Sequence, residues 1–170
     1  MDKITFDEKR IAEGYVNRPW LHKKVIERFV SDCEVTSNFR NGLDVGCGAG
    51  LSKKALHLIC DRVTGTDISE QMIQVCKEEY KDNKAYTFYR AKAEETKEPA
   101  EKYDIVTANI LADVLVPLTP VIVAQMKKGA YYITSGILDV KEEVVVEAVK
   151  AAGLTVVEVT HQGEWVSVTA

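Results

Sequence analysis

The sequence predicts one α/β domain: a three-layer sandwich built on a mostly parallel sheet with an antiparallel last strand. Three observations carry this. Helical and strand-like patterns alternate along the 170 residues. A short apolar run, Gly42-Leu43-Asp44-Val45, leads directly into Gly46-Cys47-Gly48-Ala49-Gly50. Two strand-like runs close the chain, joined only by His161-Gln162-Gly163, a link too short for a parallel crossover.

The elements follow in order. Pro19 suits a first helical position, and Leu21, Val25 and Phe29 then recur every four residues, ending near Ser31. Residues 42–45 form the first strand. Leu51, Ala55, Leu58 and Ile59 mark one face of the next helix. Arg62 to Thr66 is a second strand, closing at Asp67. Ser69 caps a helix whose core face holds Met72, Ile73, Cys76 and Tyr80. Ala85 to Arg90 alternates with aromatics as a third strand, and Tyr103 to Ile110 is a fourth. Thr119-Pro120 reads as the cap and first residue of a helix that Gly129 ends. Tyr131 to Ser135 is a fifth strand. Asp139 and Glu142 have capping-box spacing, and Gly153 closes the helix they open. Leu154 to Thr160 and Glu164 to Thr169 are the final strands.

Composition excludes several classes. Hydrophobic residues are 46% and charged residues 28%, enough apolar material for a core, so a disordered chain is excluded. Net charge is -4, which is no footprint for nucleic acid. No apolar run is long enough to cross a bilayer, and the charged N-terminus lacks a signal peptide's apolar stretch. Cys33, Cys47, Cys60 and Cys76 show no CxxC spacing and read as reduced thiols of a cytoplasmic protein.

The chemistry points to the glycine loop. In an open α/β sheet, ligands bind beyond the carboxyl ends of the strands, at the switch point. Glycines there permit a tight turn and close approach of a ligand to the backbone. Asp67, at the end of the next strand, lies 21 residues after Gly46, where a carboxylate accepts two hydrogen bonds from a ribose diol. The dinucleotide fingerprint needs a third glycine where Leu51 stands, which disfavours a nicotinamide cofactor.

The run from Leu43 to Gly50 resembles the first motif of class I S-adenosylmethionine-dependent methyltransferases, with Asp67 matching their ribose-binding acid. The resemblance implies a Rossmann-like fold with a seven-stranded sheet. It implies a cofactor, S-adenosylmethionine, whose product is S-adenosylhomocysteine. Asp44 is then expected to hold the methionine end. Ala93 and Glu94 would lie against the adenine, and Tyr15 would cover the cofactor or pack on Trp20. Cys47, Ile68, Met72 and Asn109 complete the expected cofactor set with Gly46, Gly48 and Gly50.

Residues 109–170 show a further likeness. Asn109-Ile110-Leu111-Ala112-Asp113, Ser135-Gly136-Ile137-Leu138 and Gly163-Glu164-Trp165-Val166 resemble the methyltransferases of bacterial ribosomal protein L11. Residues 1–108 look more like small stand-alone methyltransferases of the quinone-biosynthesis type. They also hold 37 of the charged side chains, against 11 in the last 62 residues, while valine shows the opposite bias. The coincidence suggests, as an alternative to an active methyltransferase, a hybrid joined near 108/109 that keeps the fold but has no defined activity. No separate substrate domain like that of the ribosomal enzyme is expected within these 170 residues.

Methyl transfer is an in-line displacement whose sulfur leaves neutral, so alignment dominates and no acid is needed. Asn109 closes the fourth strand, where its side-chain oxygen orients an amine or merely ends the strand. The expected acceptor is an amine or a small molecule, with no nucleic acid or membrane partner and self-association open. No metal site is expected, because His57 and Cys60 supply two ligands where about four are needed.

Overall fold

The computed structural model describes residues 21–91 and 102–170, so Tyr15, Pro19, Trp20, Ala93 and Glu94 lie outside the described residues. Seven strands form one sheet: β1 (Phe39–Val45), β2 (Cys60–Asp67), β3 (Tyr86–Arg90), β4 (Tyr103–Asn109), β5 (Met126–Leu138), β6 (Glu158–Gln162) and β7 (Trp165–Thr169). Their order is β3-β2-β1-β4-β5-β7-β6. The first five are parallel, while β7 runs antiparallel to both β5 and β6. The Rossmann-like sandwich and its reversed last strand are therefore as expected.

Helices α1 (Leu21–Asp32), α2 (Leu51–Leu56), α3 (Glu70–Glu79), α4 (Ala112–Val123) and α5 (Glu142–Ala151) cover the sheet. One core joins α4 and α5, through Leu115, Leu118, Ile122, Val145 and Val149, to Val45, Val106, Tyr132, Ile137 and Val166. The other face receives Ile26 and Phe29 of α1 and Ala55 and Leu56 of α2. Ile73 and Cys76 of α3 pack beside Phe88, and Tyr86 bridges these last two clusters. Of the later valines, Val145, Val149, Val166 and Val168 are buried in the first of these cores, beside Leu43 and Val45 of β1.

Several elements differ from the sequence expectation. The helix expected from Pro120 instead begins at Ala112 and carries Pro117 and Pro120 inside it. Thr119 does not cap it: its hydroxyl donates to the Leu115 carbonyl at 2.9 Å, mid-helix. Burial of one apolar face outweighs both prolines, of which Pro120 argued for a helix start. Gly129 has a left-handed φ of 77°, but inside the long strand β5 rather than at a helix end. The α2 helix stops at Leu56, leaving Leu58 55% exposed and off the core face.

Asp139 does not form a capping box. Its carboxylate accepts the adjacent Val140 N–H at 2.7 Å, a 3-10 turn spans Asp139–Lys141, and α5 begins after it with no side-chain cap. Ser69 behaves as expected, accepting the Met72 N–H at 3.3 Å. The C-terminus of α5 closes through Gly153 N–H to Lys150 O (2.9 Å) and Leu154 N–H to Val149 O (3.3 Å), the paired bonds of a Schellman ending. Residues 154–157 precede β6 rather than belonging to it.

Candidate functional site

The strand order reverses between β1 and β4, so the crevice beyond their carboxyl ends is the switch point of this sheet. β1 delivers the glycine loop to that crevice, and β4 delivers Asn109. The last four residues of β1 are all buried, including Asp44, as befits a central parallel strand. Across the ladder Asp44 faces Thr107, whose hydroxyl donates to Asp44 Oδ1 at 3.1 Å. A buried carboxylate in direct register with a buried hydroxyl is thereby held under the loop.

The loop is built on left-handed backbone at Gly46 (φ 70°), Gly48 (φ 51°) and Gly50 (φ 90°). At Gly46 a Cβ would also collide with Ile110 Cγ2, so only glycine fits. Four of the loop's amides are engaged inside the protein. Gly46 and Cys47 both donate to Thr66 O, at 2.8 and 2.9 Å, and Gly50 donates to Cys47 O at 2.8 Å. Gly48 donates to Asp67 Oδ2 at 2.9 Å, and Ser69 N–H reaches Asp67 Oδ1 at 2.8 Å.

These bonds discriminate between cofactor classes. A pyrophosphate cradle presents its N–H groups to the ligand, whereas these four donors are engaged within the protein. The loop therefore suits a cofactor that carries no phosphate. Asp67 accepts the Gly48 and Ser69 N–H groups and sits at the strand end where a ribose diol would meet it. Next to it Ile68 is 61% exposed, an apolar surface of the kind that flanks a purine. These residues fit S-adenosylmethionine.

Two expected cofactor residues are set deeper. Met72 is only 2% exposed. Cys47 is buried as well, with its thiol pushed up by interaction with the Cys76 thiol and by burial. A protonated, enclosed thiol is packing and not a nucleophile. Asn109 ends β4 opposite Ser135 of β5. Leu111 beside it is strongly exposed, and α4 begins one residue later. Tyr15, Ala93 and Glu94 are not among the described residues. The described residues contain no cluster able to hold a metal ion.

Sequence reasoning missed two contributors: Thr107 and Gly136. Thr107 gave no signal, since a threonine in a strand is ordinary. Gly136 did give one. An isolated glycine inside a strand marks a bulge or a close backbone approach, and the β5–β7 register does shift between Thr134 and Ile137.

Known proteins agree with this geometry. The family profile described as ribosomal protein L11 methyltransferase (PrmA) matches residues 25–170. A ribosomal protein L11 methyltransferase of Agathobacter rectalis is 49% identical over 138 residues, covering 75% of this chain and 43% of that protein. The chain thus spans less than half the length of that curated relative. A crystal structure of a ribosomal protein L11 methylase from Lactobacillus delbrueckii subsp. bulgaricus superposes with TM-score 0.74 at 21% identity, over 87% of this chain and 77% of that one. A SAM-dependent methyltransferase structure from Aquifex aeolicus gives TM-score 0.75 at 16% identity, over 96% and 97%. At such identities the structures speak for the fold.

Two expectations are corrected. The family match runs unbroken through 108/109, and a 138-residue match is longer than either part, so the two-parent hybrid has no support. The relatives are named for a ribosomal protein acceptor, which overturns the expectation of a small-molecule acceptor. With S-adenosylmethionine as cofactor and one continuous family match over most of its length, the chain belongs to the ribosomal protein L11 methyltransferase family.

Proposed function

We propose that this chain forms the cofactor-binding and methyl-transferring part of an enzyme that modifies ribosomal protein L11. The observation that carries this reading is the convergence of the glycine loop, Asp67 and Asn109 on one crevice at the switch point of the sheet. A ribosomal acceptor also goes with a cytoplasmic location, and no described helix is long and apolar enough to cross a membrane.

Bound S-adenosylmethionine supplies an electrophilic methyl group on a sulfonium whose sulfur departs uncharged. The residues of the chain bind and align. Asp67 accepts from the ribose hydroxyls while its bonds to Gly48 and Ser69 fix its direction. Ile68 gives the adenine an apolar wall. Asp44, held by Thr107, supplies negative charge beneath the loop for the cofactor's ammonium, directly or through water. Asn109 receives an N–H of the incoming nitrogen nucleophile on its side-chain oxygen and points the lone pair along the transfer axis.

Two measurements test this. Calorimetric titration with S-adenosylhomocysteine, with NADH as control, should give saturable one-site binding to the former alone. Radiolabelled methyl from S-adenosylmethionine should then appear on unmodified ribosomal protein L11 and vanish when Asn109 is replaced by Ala. Binding without transfer would refute the acceptor, and absence of binding in a folded sample would refute the site.

A further inference from the structure

Asn109 and Ile110 are consecutive, and each fills the space that a glycine leaves empty. Ile110 Cγ2 stands where a Cβ on Gly46 would be. Asn109 Oδ1 stands where a Cβ on Gly136 would be, with Asn109 Cγ 3.3 Å from that position. Gly46 belongs to the cofactor loop after β1. Gly136 lies in β5, on the other side of β4, at left-handed φ 73° within the register shift between Thr134 and Ile137. The end of β4 is therefore clamped from both flanks by bare backbone.

We propose that Gly136 is a positioning residue for Asn109. Gly136 sits within the irregularity of the β5–β7 register, and its missing Cβ lets the Asn109 carboxamide lie across it. This sets the direction in which the carboxamide meets the acceptor. The Ile110–Gly46 contact ties the same two residues to the cofactor loop, so both partners of the transfer are referenced to one rigid segment. The proposal rests on the reading of Asn109 as the acceptor-facing group. It adds the element that aims it.

Gly129 provides the control. Its φ of 77° nearly equals that of Gly136, yet nothing lies within 4 Å of the Cβ position there. Gly129→Ala thus carries the left-handed strain alone, and Gly136→Ala carries the strain plus the collision with Asn109. In the full chain, Gly136→Ala should lower the urea midpoint more than Gly129→Ala does. The excess should disappear when Asn109→Ala is added to each. If Gly136→Ala fails to fold but its double variant with Asn109→Ala folds, the collision is established. If both fail, the constraint at position 136 is backbone strain and the proposal falls.

Two readouts separate positioning from mere stability. The side-chain amide resonance of Asn109, identified by its loss in Asn109→Ala, should move in Gly136→Ala and stay in Gly129→Ala. With ribosomal protein L11 as acceptor, Gly136→Ala should reduce kcat by about tenfold or more while S-adenosylhomocysteine Kd stays within about twofold. An unmoved resonance, or kcat equal to that of Gly129→Ala, overturns the proposal. If the parent chain transfers no methyl to L11, the acceptor reading fails, and the stability cycle and the resonance still decide whether Gly136 orients Asn109.

Discussion

Replacing Asp67 by Ala tests folding and cofactor binding at once. Its two oxygens receive Ser69 N–H at 2.8 Å and Gly48 N–H at 2.9 Å, one from the cap of α3 and one from the glycine loop. Hydrogen bonds to a charged group contribute about 1.5–3 kcal/mol each when shielded. Asp67 is half-buried, so water replaces part of what is lost, and the folding cost should be about 2 kcal/mol in total. Loss of the ribose hydrogen bonds should weaken S-adenosylhomocysteine by about one to two orders of magnitude in Kd. Asp67→Asn should fall between parent and Ala. Its oxygen keeps one N–H partner, but its NH2 group faces a second donor and cannot accept. Urea denaturation and calorimetric titration on the same samples read both effects. A Kd within about threefold of the parent would remove Asp67 from the ribose site. Unchanged folding would show that the carboxylate does not hold the loop.

Further predictions follow from the same contacts. Thr107→Val removes one hydrogen-bond partner from the buried Asp44 carboxylate at nearly constant volume. It should cost about 1–3 kcal/mol of stability, and a urea-derived loss below about 0.5 kcal/mol would contradict the bond. Ser69→Ala should cost about 1 kcal/mol through loss of the α3 cap, whereas Asp139→Ala should stay within about 0.5 kcal/mol because Asp139 caps no helix. Parity between those two variants would show the capping assignment to be wrong. Alkylation of the native chain should label the part-exposed Cys33 first. Cys47 and Cys60 should stay protected until denaturant is added, since burial pushes the Cys60 thiol up to about 12 and Cys47 is raised too. Mass spectrometry showing Cys47 modified as fast as Cys33 would mean that the glycine loop is open.

Local chemistry was the most legible part. Gly46, Gly48 and Gly50 after a strand, with Asp67 closing the next one, announced a loop whose left-handed backbone and carboxylate anchor are now visible. Ser69 could be read as a cap because its hydroxyl needs only the amide three residues on. Where competing local signals had to be weighed against burial, the reading failed. Thr119-Pro120 has the local chemistry of a helix start, but Leu115, Leu118 and Ile122 share a buried face that extends the helix through it. Asp139 and Glu142 have capping-box spacing, but the 3-10 turn between them leaves Asp139 satisfied by its own neighbour.

The sequence by itself determined the alternation of elements, the switch-point loop and the class of cofactor, because each depends on residues close along the chain. Only the tertiary structure decided how Asn109 is aimed. Asn109 and Ile110 at the end of β4 reach Gly136 of β5 and Gly46 of the loop after β1, and the fit of these two side chains against two missing Cβ atoms requires the sheet to be assembled. It also decided which of the later valines enter the core. Val145, Val149, Val166 and Val168 meet Leu43 and Val45 in one core, a proximity that no local pattern encodes.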